Sequence, residues 1–143
     1  MIVDLSTYSL PQEEIFMLLR QSNQCPPLSP SKYHSLVLQL PKHHRMFVKL
    51  LNGFVLGLIS VMHEQRLSDG GQWVAHITEF ETRCEEQFGS FALELLEHAI
   101  DHARRNNCCR IIAPGKEAYT SAFETLEFDC VDGFYQKTIR PYW

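Results

Sequence analysis

The sequence predicts an α/β (α+β) domain built on a mixed, mostly antiparallel, twisted sheet with helices on both faces. Three observations predict it. Two β-rich runs, Met46 to Leu51 and Phe54 to Val61, flank Asn52-Gly53, a dipeptide whose easy positive φ suits a tight type I′ hairpin turn. A third alternating run, Gln72 to Thr82, continues the meander after the loop Ser68-Asp69-Gly70-Gly71. From Gly89 to Asn106 the period changes to 3.6, with Ala92, Leu95, Leu96, Ala99, Ile100 and Ala103 on one helical face.

The elements follow in order. Ser9-Leu10-Pro11-Gln12 has capping-box spacing with proline in the first turn, so a first helix is expected to run to about Asn23. After Cys25-Pro26-Pro27, Ser29-Pro30 starts a second, with Tyr33, Leu36, Val37 and Leu40 on one face and Pro41 as its stop. The run Phe54 to Val61 is apolar on both faces, as a central covered strand requires. In the third strand Trp73, Ala75 and Ile77 put apolar side chains on odd positions, whereas Phe80 is even. A bulge near Thr78 or Glu79 reconciles the two, because one extra residue re-aims every side chain beyond it. Beyond the long helix come a short strand Cys109 to Ala113, a helix from about Glu117 to Glu127 and a closing strand Gly133 to Ile139. The expected order is β, α, α, β, β, β, α, β, α, β in one domain over residues 1–143.

Composition narrows the function classes. At 143 residues with 45% hydrophobic and 21% charged residues, the chain has enough apolar material for one core and too much for a disordered segment. It should fold alone or as a protomer of a small assembly such as a homodimer. Thirteen Lys+Arg against 17 Asp+Glu, with no basic run beyond Arg104-Arg105, argues against nucleic acid as main partner. No signal-peptide pattern and no apolar stretch of membrane-spanning length are present, so a cytoplasmic protein away from the membrane is expected. Five cysteines without a C-x-x-C fit reduced thiols, neither a disulfide framework nor a zinc site. His98 and His102 fall on the charged helix face without a third ligand and read as a solvated pair, and His43-His44-Arg45 as an exposed approach to the second strand.

The segment Phe80-Glu81-Thr82-Arg83-Cys84-Glu85-Glu86-Gln87-Phe88-Gly89-Ser90-Phe91-Ala92, set between a bulged strand and the long helix, resembles the acetyl-CoA motif of the GNAT superfamily of N-acetyltransferases. The element order is similar over nearly the whole chain. Gln87 and Ala92 fit the family's Gln/Arg-x-x-Gly-x-Gly/Ala loop; Ser90 replaces its first glycine and Gly89 lies one place early. A glycine stands at Gly57, as in the family's strand. Phe123-Glu124-Thr125-Leu126-Glu127-Phe128 resembles its later string, with Phe123 where tyrosine is common and Glu127 where glycine is usual.

The resemblance implies acetyl-CoA as co-substrate and a primary amine as acceptor, with no metal. Phe80, Glu81 and Thr82 would contact the acyl arm through their backbone. Gln87, Phe88, Gly89, Ser90, Phe91 and Ala92 would hold the pyrophosphate at a helix N-terminus, where unpaired N–H groups favour an anion. Glu85 and Glu86 would repel that anion unless they point away. Lys116, at a place where the family often has asparagine, either reaches phosphate or is solvated. Acyl transfer needs a base, and His76 in the middle of the third strand is the first candidate, with Glu79 second. A histidine packed beside Trp73 and Phe80 explains His76 equally well. Tyr119, one turn before Phe123, is the candidate acid, or a tyrosine of the core. A non-catalytic module that binds acyl-CoA is the alternative function.

Overall fold

The computed structural model describes residues 1–5, 32, 35, 36, 38–83 and 85–142, and for 85–90 the backbone alone. Among the described residues seven strands form one sheet: β1 (Ile2–Asp4), β2 (His44–Leu51), β3 (Phe54–Arg66), β4 (Gln72–Thr82), β5 (Cys108–Pro114), β6 (Asp129–Val131) and β7 (Phe134–Thr138). Their spatial order is β1-β2-β3-β4-β5-β7-β6, and every pairing is antiparallel except β4 with β5. Helix α1 (Glu85–Arg105) connects that parallel pair, as a parallel connection requires, and α2 (Thr120–Thr125) follows a 3-10 turn at Glu117–Tyr119.

The β2–β3 turn is the one expected, with Asn52 at φ 51° and Gly53 at φ 82°. The bulge also lies where the parity break puts it: Ser60 pairs with Glu79 and Val61 with Ile77, leaving Thr78 as the extra residue. Ile77 and Phe80 therefore both join the core under α1. Two layers of apolar residues result. One, beneath α1 and α2, is built on Leu95, Leu96, Ile59, Ile111 and Phe123; the other, on the opposite face, holds Leu5, Met46, Val48, Leu50, Val55 and Leu58. Gly57 sets the approach of α1: a Cβ there would meet Leu95 Cδ1 at 2.9 Å and Glu81 O and Thr82 Cγ2 at 3.0 Å.

Several expectations change. The first expected helix, Ser9 to Asn23, lies outside the described residues. Of the second, Lys32, Ser35, Leu36 and Leu38 are helical; Leu36 is exposed, whereas Leu40 packs on the second core layer. Helix α1 begins at Glu85, four residues before Gly89, so Gln87 to Ala92 form its opening turns and not a loop ahead of it. The expected helix 117–127 is a 3-10 turn followed by a six-residue helix. Strand β6 was not foreseen; three residues at a sheet edge are too few to show a period.

The reading of His98 and His102 as solvated is overturned. Both are half-buried against the Phe47 ring, at 4.5 and 4.9 Å between centroids, and His102 stacks on buried His63 at 4.9 Å. The sheet extends sideways beneath α1 as far as β2, so it covers a wider helix stripe than the apolar residues mark. Cys108 is buried and its thiol is pushed up to about 12 by loss of hydration, which leaves it inert.

Candidate active site

Strands β4 and β5 stay paired only from Trp73 to His76, opposite Cys108 to Ile112. Beyond His76 the strands part. Strand β4 runs on through its bulge to Thr82, while Ala113 and Pro114 of β5 remain with Tyr135 and Phe134 of β7. A bulge bends and over-twists its strand, and here it begins two residues past the last β4–β5 pair. The opening is a groove of about 200 Å³ with Ile77, Phe80, Ala113 and Phe123 in its walls and Thr78, Glu79, Glu81 and Lys116 as polar groups. Its size suits a slender chain and not a whole nucleotide.

Beyond His76 the β4 edge has no partner strand among the described residues, and the segment after β5 supplies partners instead. Lys116 Nζ donates to the Phe80 carbonyl at 3.2 Å and pairs with the Glu81 carboxylate. The Thr82 backbone N–H donates to the Tyr119 hydroxyl at 2.8 Å, and the two side-chain hydroxyls lie 3.3 Å apart. Tyr119 is buried and stacks on Phe80 at 4.3 Å. Of the groups expected to contact an acyl arm, Phe80 and Glu81 line the groove beside Lys116, whereas Thr82 is buried against Tyr119.

The two candidate bases have separate surroundings. His76 lies on the sheet face opposite α1, and its Nε2 is 2.6 Å from Glu64 Oε1. Glu64 also accepts from Arg66 at 2.7 Å; Arg66 and Arg110 both pair with Asp69, which ties His76 to a chain of ion pairs at the far end of β4. His76 is not among the groove-lining residues. Glu79 is, and loss of hydration in the groove pushes its carboxyl above the usual range; Glu81 adds to this and Lys116 opposes it.

Of the expected pyrophosphate residues, Gln87 to Ser90 are helical in backbone, and Phe91 and Ala92 continue the helix with Ala92 buried in the core. Helix α1 starts at Glu85, three residues after the last residue of β4, and the amides of its first turn have no partner within the helix. Phe123, at the family's tyrosine position, is fully buried and stacks on Tyr135 at 4.3 Å, a structural aromatic. Glu127, at the family's glycine position, has φ 61°. There the Phe128 N–H donates to Phe123 O at 2.9 Å and the Glu127 N–H to Glu124 O at 3.0 Å, the two bonds of a Schellman cap.

Sequence reasoning missed three residues on the face opposite α1. His44 Nε2 lies 2.6 Å from Ser60 Oγ, and Thr78 Oγ1 lies 3.0 Å from the same oxygen. The signal available was Ser60, a hydroxyl inside a run apolar on both faces, which must find a partner once buried. His44 is accordingly half-buried and not the exposed residue expected.

No protein-family model and no curated sequence matches the chain. Solved structures do match in three dimensions. A Trypanosoma brucei acetyltransferase is 17% identical with a TM-score of 0.71, covering 100% of this chain and 99% of that one. The ribosomal-protein-alanine N-acetyltransferase of Brucella melitensis is 18% identical, TM-score 0.72, covering 97% and 99%. The glucosamine-6-phosphate N-acetyltransferase of Arabidopsis thaliana is 13% identical, TM-score 0.74, covering 100% and 99%. With the bulged β4, its parting from β5 and the helix that follows, these likenesses show that the chain has the fold of the GNAT N-acetyltransferases.

Proposed function

We propose that the protein transfers an acetyl group from acetyl-CoA to a primary amine of a small molecule or peptide, by direct attack while both are bound. The observation that carries this reading is the groove between β4 and β5, open at the bulge of the strand that leads into α1. The acyl arm would lie along Phe80 to Thr82, with the opening amides of α1, which starts at Glu85, toward the pyrophosphate; of the segment Gln87 to Ala92 only its start lies in that first turn. Lys116 stands at the groove wall, where it either moves to a phosphate or gives up the Phe80 carbonyl to the arm.

Glu79 is the better placed base. It lines the groove, and a carboxyl held above its usual range takes a proton from an ammonium more readily than an ordinary one. Together with Glu81 it also gives the groove a negative wall, which favours a cationic amine. His76, with Nε2 on Glu64 and outside the groove lining, is the less well placed of the two. Tyr119 is the acid: its hydroxyl, already accepting from Thr82 N–H, has a proton to give to a departing thiolate.

The test is calorimetry with acetyl-CoA followed by turnover on a panel of primary amines. Binding and turnover are expected, with Glu79→Gln lowering kcat by about 100-fold or more and leaving acetyl-CoA affinity within about twofold. No acetyl-CoA binding overturns the reading. Binding without turnover on any amine supports the second reading, a non-catalytic acyl-CoA-binding module, which the occupation of the β4 edge by Lys116 and Tyr119 favours.

A further inference from the structure

The groove has a polar contact on the face opposite α1 that neither the fold nor the acetyl-CoA motif accounts for. Thr78 is the bulge residue, and it lines the groove. Its Oγ1 reaches Ser60 Oγ at 3.0 Å, and Ser60 Oγ reaches His44 Nε2 at 2.6 Å. Ser60 is fully buried between strands, so its hydroxyl exchanges protons only with these neighbours. Three exchangeable groups thus run in series from the groove wall to a histidine on β2.

We propose that Thr78, Ser60 and His44 form a proton relay that drains the reacting amine into His44. The proposal rests on the acetyltransferase reading above. The acceptor ammonium loses its first proton to Glu79. The C–N bond forms and the thioester C–S bond breaks, and the departing thiolate takes the Tyr119 hydroxyl proton. The nitrogen then holds one proton too many; it passes to Thr78 Oγ1 as the Thr78 proton passes to Ser60 Oγ and the Ser60 proton to His44 Nε2. Glu79 and His44 return their protons to water and Tyr119 recovers one, so one proton is released per turnover.

The geometry supplies the direction. Thr78 donates to Ser60 and Ser60 donates to His44 when the neutral imidazole carries its own proton on Nδ1, leaving the Thr78 lone pairs to the groove. Thr78 Oγ1 also lies 3.5 Å from His44 Nε2 and 3.4 Å from the Ser60 carbonyl, so the hydroxyl has somewhere to turn once the proton has moved. Among the described residues, the titratable and charged groups on the strands around His44 are Arg45 beside it on β2, paired with Asp4 of β1, His63 and Glu64 on β3, and His76 and Glu79 on β4. Burial and the Arg45 charge hold His44 below the usual histidine range, so it is neutral and ready to accept near pH 7. Thr78 touches the substrate in this scheme; Ser60 and His44 act through it.

The experiment has two arms. In the free protein, ¹⁵N NMR of His44 above its titration should show an unprotonated Nε2 and a proton on Nδ1; the opposite tautomer overturns the relay, because Nε2 could not accept. In the second arm, kcat is followed against pH with acetyl-CoA and the best amine of the panel. Thr78→Val and His44→Gln should each lower kcat by about tenfold or more and remove the acid limb belonging to His44, with acetyl-CoA affinity unchanged, and the double variant should lose no more than either single one. Thr78→Ser keeps the hydroxyl and should keep kcat within about threefold, which separates proton transfer from damage to the bulge. Wild-type turnover with an unaltered profile in Thr78→Val overturns the relay alone; absence of wild-type turnover overturns the relay and the activity together.

Discussion

The Tyr119 hydroxyl accepts the Thr82 backbone N–H at 2.8 Å, and this bond joins the end of β4 to the turn before α2, beyond the last β4–β5 pair. Thr82 is buried, so removing the acceptor strands an amide hydrogen away from water. Tyr119→Phe is expected to cost about 1–3 kcal/mol in urea unfolding and to lower kcat while acetyl-CoA still binds. An unchanged unfolding midpoint would show that the amide finds another partner.

Glu127 pays for its left-handed φ of 61° as a residue with a Cβ. The cap itself is complete, with both backbone bonds made and Phe128 packed edge-on to Phe123 at 5.0 Å. Glycine adopts the same conformation without strain, so Glu127→Gly should raise stability by about 0.5–1 kcal/mol, read as a higher midpoint at unchanged m-value. Glu127→Ala, which keeps the Cβ, should give no comparable gain.

The Lys116 ammonium is held by the Glu81 carboxylate and the Phe80 carbonyl. Glu81→Gln removes a negative charge at the groove and loosens the lysine. Acetyl-CoA, a polyanion, should bind about three- to tenfold more tightly in calorimetry at low salt, and the gain should shrink as ionic strength rises. Adding Lys116→Met to Glu81→Gln should abolish the gain; if it persists, the lysine has no part in it.

His63 is 6% exposed and lies among His102, His43, Arg45 and His44, and burial pushes it down from 6.5 to about 4. The folded protein therefore binds this proton less readily than the unfolded chain. Stability from keeping His63 neutral is fully present above pH 6.5 and is lost as pH falls toward about 4, a change of up to about 3 kcal/mol. His98 and His102 are lowered in the same direction, mainly by burial, and steepen the slope. Urea unfolding at pH 7 and 4.5 measures it, and His63→Phe should flatten it in part; an equal slope in that variant would assign the acid loss elsewhere.

Local chemistry was legible in the sequence. The turn at Asn52-Gly53 depends on two adjacent residues, the β4 bulge on a parity break within eleven, and the α1 stripe on one period, so each is written where it acts. The string at Phe123 to Phe128 was read through its resemblance to a family motif, and the structure explains its departures: Phe123 packs in the core, and Glu127 takes a conformation that glycine adopts more easily.

What only the tertiary structure decided is which side chains meet. His76 and Glu79 are three residues apart in one strand, yet one joins an ion-pair chain and the other lines the groove, because β5 leaves β4 between them. His44, Ser60 and Thr78 come from three strands, and no spacing along the chain connects them. Periodicity records which face a residue takes within its own element. The neighbour across a sheet is fixed by register and bulges, which depend on the packing of every strand at once.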